Sequence, residues 1–294
     1  MRVQAPNLRQ KKRGLSLRPF LDVQRFSGHK PEQAIFNQLI TQKFCFMLVE
    51  VCAYSVADCL AAQRAGADRI ELCSARAEGG LTPSIGLICQ VKALVSLPIF
   101  VMIRPRGGDF VYSATELAVM EADIAAARLA GADGVVLGTL LPNGQVDRQT
   151  TRRLLQCASP LPVTFHRAFD LTANAHDALE ILIELGVSTV LTSGQRARAV
   201  DACALLETLV KQAAGRIAIM AGSGVDGQNA TYLAKTGVAA LHLSGSVVIE
   251  SPMQYRRSNV PMSSHVPGEY ERIESSETAI RAVVASVGAV LRQS

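Results

Sequence analysis

Leu129-Ala-Gly131-Ala-Asp-Gly-Val-Val-Leu137 reads as the last turn of a helix, a glycine stop and a buried strand. The phrase returns as Arg64-Ala-Gly66-Ala-Asp-Arg-Ile-Glu-Leu72, Leu185-Gly186-Val-Ser-Thr-Val-Leu191 and Thr236-Gly237-Val-Ala-Ala-Leu-His-Leu243. The four glycines stand 65, 55 and 51 residues apart, about twice the length of one βα unit, so a further strand is expected inside each interval. Residues 98–104, 162–166 and 216–220 supply those strands, and 48–52 leads them. Helical patterns follow at 56–65, 83–95, 113–130, 147–157, 174–185, 196–213, 226–235 and 277–291. Eight parallel strands with crossover helices predict an α/β fold, a (β/α)8 TIM barrel. An open, doubly wound sheet is the alternative, but no strand is followed by a dinucleotide fingerprint. The connection 251–274 is long and polar, and is expected to fold over the barrel end or to contact a partner subunit.

The barrel accounts for residues 47–294. Residues 1–46 hold nine Lys and Arg against two Asp and Glu, and they lack sustained periodicity. They are read as a basic N-terminal extension outside the fold, either a disordered tail or the product of an upstream start codon, with a transit peptide as the alternative. The net charge of +5 comes from this segment, because the rest carries 21 basic against 23 acidic residues. No basic face suggests nucleic-acid binding, and no apolar run reaches the roughly 20 residues that span a bilayer. Seven cysteines without CxxC pairs, and no secretory signal, point to a reducing cytoplasmic setting.

In such a barrel, chemistry belongs at the C-terminal strand ends. The loop Ile103-Arg104-Pro105-Arg106-Gly107-Gly108-Asp109-Phe110 offers two guanidiniums and a bare backbone, which suit a carboxylate or phosphate. A surface turn with its arginines paired to local acids is the alternative. The first two strands repeat a Glu-x-Cys ending, Glu50-Val-Cys52 and Glu71-Leu-Cys73. If their registers match, both thiols lie side by side at the mouth with both carboxylates one layer below. Paired soft thiolates suit Cu(I), and the carboxylates suit acid/base work or a harder ion. Core-filling cysteines, and acids paired structurally with Arg69, are the competing reading. His166 ends the fifth strand as a general acid/base or metal ligand, with Asp170 expected to orient it. His242 is a lesser candidate. Gly222, Ser223 and Gly224 after strand seven, with Ser244 and Gly245 after strand eight, are expected to form an anion site. Lysine occurs in the body only at 92, 211 and 235, away from strand ends, which argues against Schiff-base chemistry. No organic cofactor is expected.

Glu50-Val-Cys52, residues 66–73, Glu78-Gly-Gly-Leu-Thr-Pro83, residues 103–110, Val163-Thr-Phe-His-Arg-Ala-Phe-Asp170, Leu191-Thr-Ser-Gly194 and Ser251-Pro-Met-Gln-Tyr-Arg256 together resemble the CutC family. The resemblance runs from Met47 nearly to the C-terminus, and the leader is its one departure. It implies a cytoplasmic, homo-oligomeric TIM barrel, dimer or tetramer, with a role in copper homeostasis. Cu(I) binding in animal members is attributed to two cysteines, which match Cys52 and Cys73 here. The alternative function is an enzyme of lyase, isomerase or hydrolase type acting on a small anionic or phosphorylated metabolite. In that reading Arg104 and Arg106 hold one charged group, the loops after strands seven and eight hold another, and Glu50, Glu71 and His166 move protons.

Overall fold

The computed structural model describes residues 47–257, 260 and 268–291; the basic extension lies outside them. Eight parallel strands close in sequence order: β1 (Leu48–Ala53), β2 (Arg69–Leu72), β3 (Ile99–Met102), β4 (Gly134–Leu137), β5 (Val163–Phe165), β6 (Thr189–Thr192), β7 (Ala218–Gly222) and β8 (Ala240–Leu243), with β8 pairing to β1. The helices α1 (Val56–Ala65), α2 (Ile85–Leu94), α3 (Ala114–Leu129), α4 (Arg148–Ala158), α5 (Ala175–Leu185), α6 (Cys203–Ala213), α7 (Ala230–Lys235) and α8 (Glu277–Leu291) follow the strands in turn. The chain is the (β/α)8 barrel that its repeat predicts.

Local signals fix the element ends. Ser55, Ser84, Ser113, Asp147 and Asn174 each accept a backbone N–H of the helix they precede, and Ser113 forms a reciprocal capping box with Glu116. The four repeat glycines have φ between +80° and +86°, where a Cβ would be strained. That backbone lets the chain leave each helix and drop directly into the next strand.

Two elements are shorter than their patterns. Asp226 and Asn229 exchange hydrogen bonds that hold a turn, so α7 begins only at Ala230. Ala199 N donates to Ser223 O, tying residues 196–202 to the β7 loop and leaving a short 3-10 turn before α6. An antiparallel pair that the sequence reading lacks, β9 (Ser246–Glu250) and β10 (Glu271–Ser275), brackets the long connection. β9 is mostly solvent-exposed and β10 passes from exposed to buried along its length, so the alternation that marks a half-buried strand is missing from both. Among the described residues no helix is long and apolar enough to cross a membrane.

The main core lies between strands and helices, and the barrel interior holds two smaller clusters. Leu48, Ala240, Met220 and Leu191 pack as one and occupy a single register row. This row fills the barrel with apolar side chains, of which the buried Leu191 and Met220 contribute about 1.5–3 kcal/mol each. The next rows upward hold charge.

Candidate functional site

Directly above the apolar row, Glu50 is in register with Arg69 on β2 and His242 on β8, and His242 with Gly222 on β7. A Cβ on Gly222 would lie 2.6 Å from Leu191 Cδ1 and 3.2 Å from His242 Cβ, so the glycine makes room for the imidazole. The Glu50 carboxylate is completely buried and bridges two cations: Arg69 Nε donates to Oε2 at 2.5 Å, and His242 Nδ1 lies 2.8 Å from Oε1. Arg69 also stacks on Phe100, 4.1 Å from the ring centroid.

One level higher, Cys52 is in register with Glu71, and Glu71 with Phe100. The expected matching of the two Glu-x-Cys endings is therefore corrected: they are staggered by two residues, with Glu71 level with Cys52 and Cys73 above both. The barrel's shear imposes this offset. The thiols still meet, with Sγ atoms 3.8 Å apart, and Cys73 Sγ lies 3.6 Å from Glu71 Oε2. Arg69 pairs with Glu50, while the cationic group nearest Glu71 is His242, whose Nε2 is 3.7 Å from Oε2. Tyr54 OH stands 3.2 Å from Cys52 Sγ.

These contacts divide the protons. The hydrogen bond with Cys73 holds the Cys52 thiol well below its ordinary range against the cost of burial, and His242 adds to the effect. Burial pushes Glu71 and Cys73 well up, with Cys52 adding to both. Burial opposes ionisation of Glu50 too, but His242 and Arg69 outweigh it and lower the carboxyl. For His242, burial is outweighed by Glu71, Cys52 and Glu50, which raise the imidazole well above its usual value. The cluster thus pairs Glu50 with Arg69 and sets Cys52 beside His242, while burial drives Glu71 and Cys73 toward their neutral forms. Two overlapping donor sets result, Cys52, Glu71 and Cys73, and Glu50, Glu71 and His242, each with its ligand atoms within 4.8 Å of one another.

A cavity of about 620 Å³ opens above this cluster at the C-terminal strand ends. Cys52, Glu71 and His242 line it below, and Arg104, Phe110 and His166 form a wall. Ser223, Gly224, Ser244 and Gly245 line it from the β7 and β8 loops. Arg104 threads inward and donates through Nη1 to the carbonyls of Glu78 and Gly80 and through Nη2 to Gly108 O. Burial and the Arg104 charge push the His166 imidazole down to about 3, so it is neutral, and its Nδ1 accepts from Ala168 N.

Three expectations are corrected. Arg106 does not reach the cavity: its guanidinium is paired with Glu116 and Asp109, on the outside of the loop. Asp170 does not orient His166. It accepts instead from Thr192 Oγ1, from Ser193 N and Oγ and from Gln195 N, and it pairs with Arg167, anchoring the loop after β6. Gly222 ends β7 level with His242 rather than lying in the anion loop. His242 is more central than its place in the sequence reading. The signal was available, since Leu241 and Leu243 face the helices and alternation turns the residue between them inward.

The chain matches the model of the CutC family over residues 47–247. It is 45% identical over 236 residues to the human copper homeostasis protein cutC homolog, covering 80% of this chain and 86% of that protein. A CutC family protein from Chromobacterium violaceum is 45% identical over 237 residues, covering 80% of this chain and 96% of the relative. A crystal structure of a CutC protein from Streptococcus agalactiae superposes with a TM-score of 0.65 at 35% identity, covering 68% of this chain and 99% of the other.

Proposed function

The chain belongs to the CutC family, and from that premise we propose that it serves copper homeostasis by binding Cu(I) through Cys52 and Cys73 at the barrel mouth. The observation that carries the reading is the buried sulfur pair, 3.8 Å apart. Thiolates are soft donors that favour Cu(I) over harder ions, and Cys52 is already biased toward the thiolate. Cys52 and Cys73 would hold the ion, and Glu71 stands beside the pair as a further donor. Arg69 does not oppose a cation here, because Glu50 neutralises it one level below.

Anaerobic Cu(I) titration of the 294-residue protein against a competing chelator tests this, beside a Cys52→Ser/Cys73→Ser double variant. One equivalent bound by the parent and lost by the double variant is the expected result. Binding that the double variant retains removes the sulfur pair as the site.

A further inference from the structure

Two buried N–H groups in the cavity wall find no acceptor among the described residues. Because His166 Nδ1 accepts from Ala168 N, the neutral ring carries its proton on Nε2, and that atom has no partner. Arg104 Nε is likewise unpartnered, its Nη atoms donate to uncharged carbonyls, and the Tyr112 hydroxyl beside the guanidinium is uncharged too, so no carboxylate among the described residues neutralises it. The His166 side chain is 4% exposed and Arg104 7%, and a buried donor left unpaired costs about 1–3 kcal/mol. The Phe110 ring lies between them, 4.8 Å from the His166 ring and 5.0 Å from Arg104 Cζ. One wall of the cavity thus presents two donors and a positive charge across an aromatic surface.

The β7 and β8 loops complement it. The N–H groups of Ser223, Gly224, Val225, Ser244 and Gly245 donate to no described acceptor, and all five residues line the cavity. Ser223 holds φ +85° and Gly224 +67°, so the chain makes a left-handed turn where it leaves β7. A serine there is strained, and it is held by its Oγ donating to Ala197 O and by its carbonyl accepting from Ala199 N.

We propose that this cavity binds a small organic phosphate carrying a carboxylate, with the phosphate against the β7 and β8 loops and the carboxylate on Arg104 and His166. Its volume of about 620 Å³ is that of an ordinary small-molecule site. His166 serves as a hydrogen-bond donor and not as a metal ligand, since its proton is on Nε2 and its other nitrogen is occupied. The proposal goes beyond the copper reading and does not depend on it, because neither Cys52 nor Cys73 contributes a contact.

The test is calorimetric titration of the 294-residue protein in EDTA with phosphonoacetate and 3-phosphonopropionate, which carry both groups, and with methylphosphonate and acetate, which carry one each. The better two-ended probe is expected to bind at least about tenfold more tightly than either half. His166→Phe removes that advantage while methylphosphonate binding is unchanged, and Ser244→Asp weakens every phosphonate by about tenfold or more. In the parent protein, the ¹⁵N–¹H signal of His166 Nε2 shifts with the two-ended probe and not with methylphosphonate, a readout that needs no variant. The proposal is overturned by equal affinity for the two-ended and one-ended probes, by an advantage that survives His166→Phe, by an unmoved His166 signal, or by no binding at all.

Discussion

Glu50→Gln asks whether the ionic row inside the barrel is held by charge or by shape. Glutamine keeps the volume and an oxygen for His242 Nδ1, but it removes the negative charge opposite Arg69 Nε. Glu50 is fully buried and the Arg69 side chain only 11% exposed, so the guanidinium cannot reach water without leaving its place over Phe100. Removing one partner of a buried ion pair costs about 3–5 kcal/mol. The aromatic face remains as a partial substitute for the lost charge, so the lower end, about 3 kcal/mol, is expected. In a barrel of this size 1 kcal/mol moves Tm by about 2–4 °C, which places the Glu50→Gln protein about 6–12 °C below the parent. Urea unfolding followed by circular dichroism measures the free energy, and a thermal scan measures the shift. Adding Arg69→Met removes the stranded cation and is expected to recover at least about 1 kcal/mol. A loss under 1 kcal/mol for the single variant, or no recovery in the double, would refute the view that Glu50 works as a buried charge.

His166 gives the barrel an acid limit. Its pKa falls to about 3 in the fold from about 6.5 in the unfolded chain, so between these values the unfolded state binds more protons and stability rises with pH by at most about 1.4 kcal/mol per unit. Urea midpoints measured from pH 4 to 7 should show this slope in the parent and lose it in His166→Phe; an unchanged slope in the variant would remove His166 as its source. Asp170→Ala strands the N–H groups of Ser193 and Gln195 and should cost about 3 kcal/mol by urea unfolding. It should leave the imidazole signals of His166 unmoved, whereas a shift would return Asp170 to the orienting role that the structure denies it.

The barrel was legible because its signals are local. A helix end, a glycine and an apolar strand sit next to one another in the chain, and the glycines of the repeat are where backbone geometry leaves little choice. The site was legible only by strand. Alternation turned Glu50, Cys52, Glu71 and Cys73 inward, but their relative heights depend on the shear of the closed sheet, which is a property of the whole ring. Arg106 and Asp170 show a different limit. A loop motif says that charges are near a strand end, yet which of them face inward is decided by partners such as Glu116 and Ser193, distant in the chain. His242 was undervalued for the same reason, since its importance comes from Glu50, 192 positions earlier.

The apolar row of Leu48, Leu191, Met220 and Ala240 has a consequence for traffic. With apolar side chains packed below the ionic row and the cavity opening above it, whatever comes down the cavity to the sulfur pair meets the ionic row and leaves by the same mouth. An anion seated in the cavity then stands over the thiols as a cap, so the barrel behaves as a blind tube in which the last occupant to enter is the first to depart.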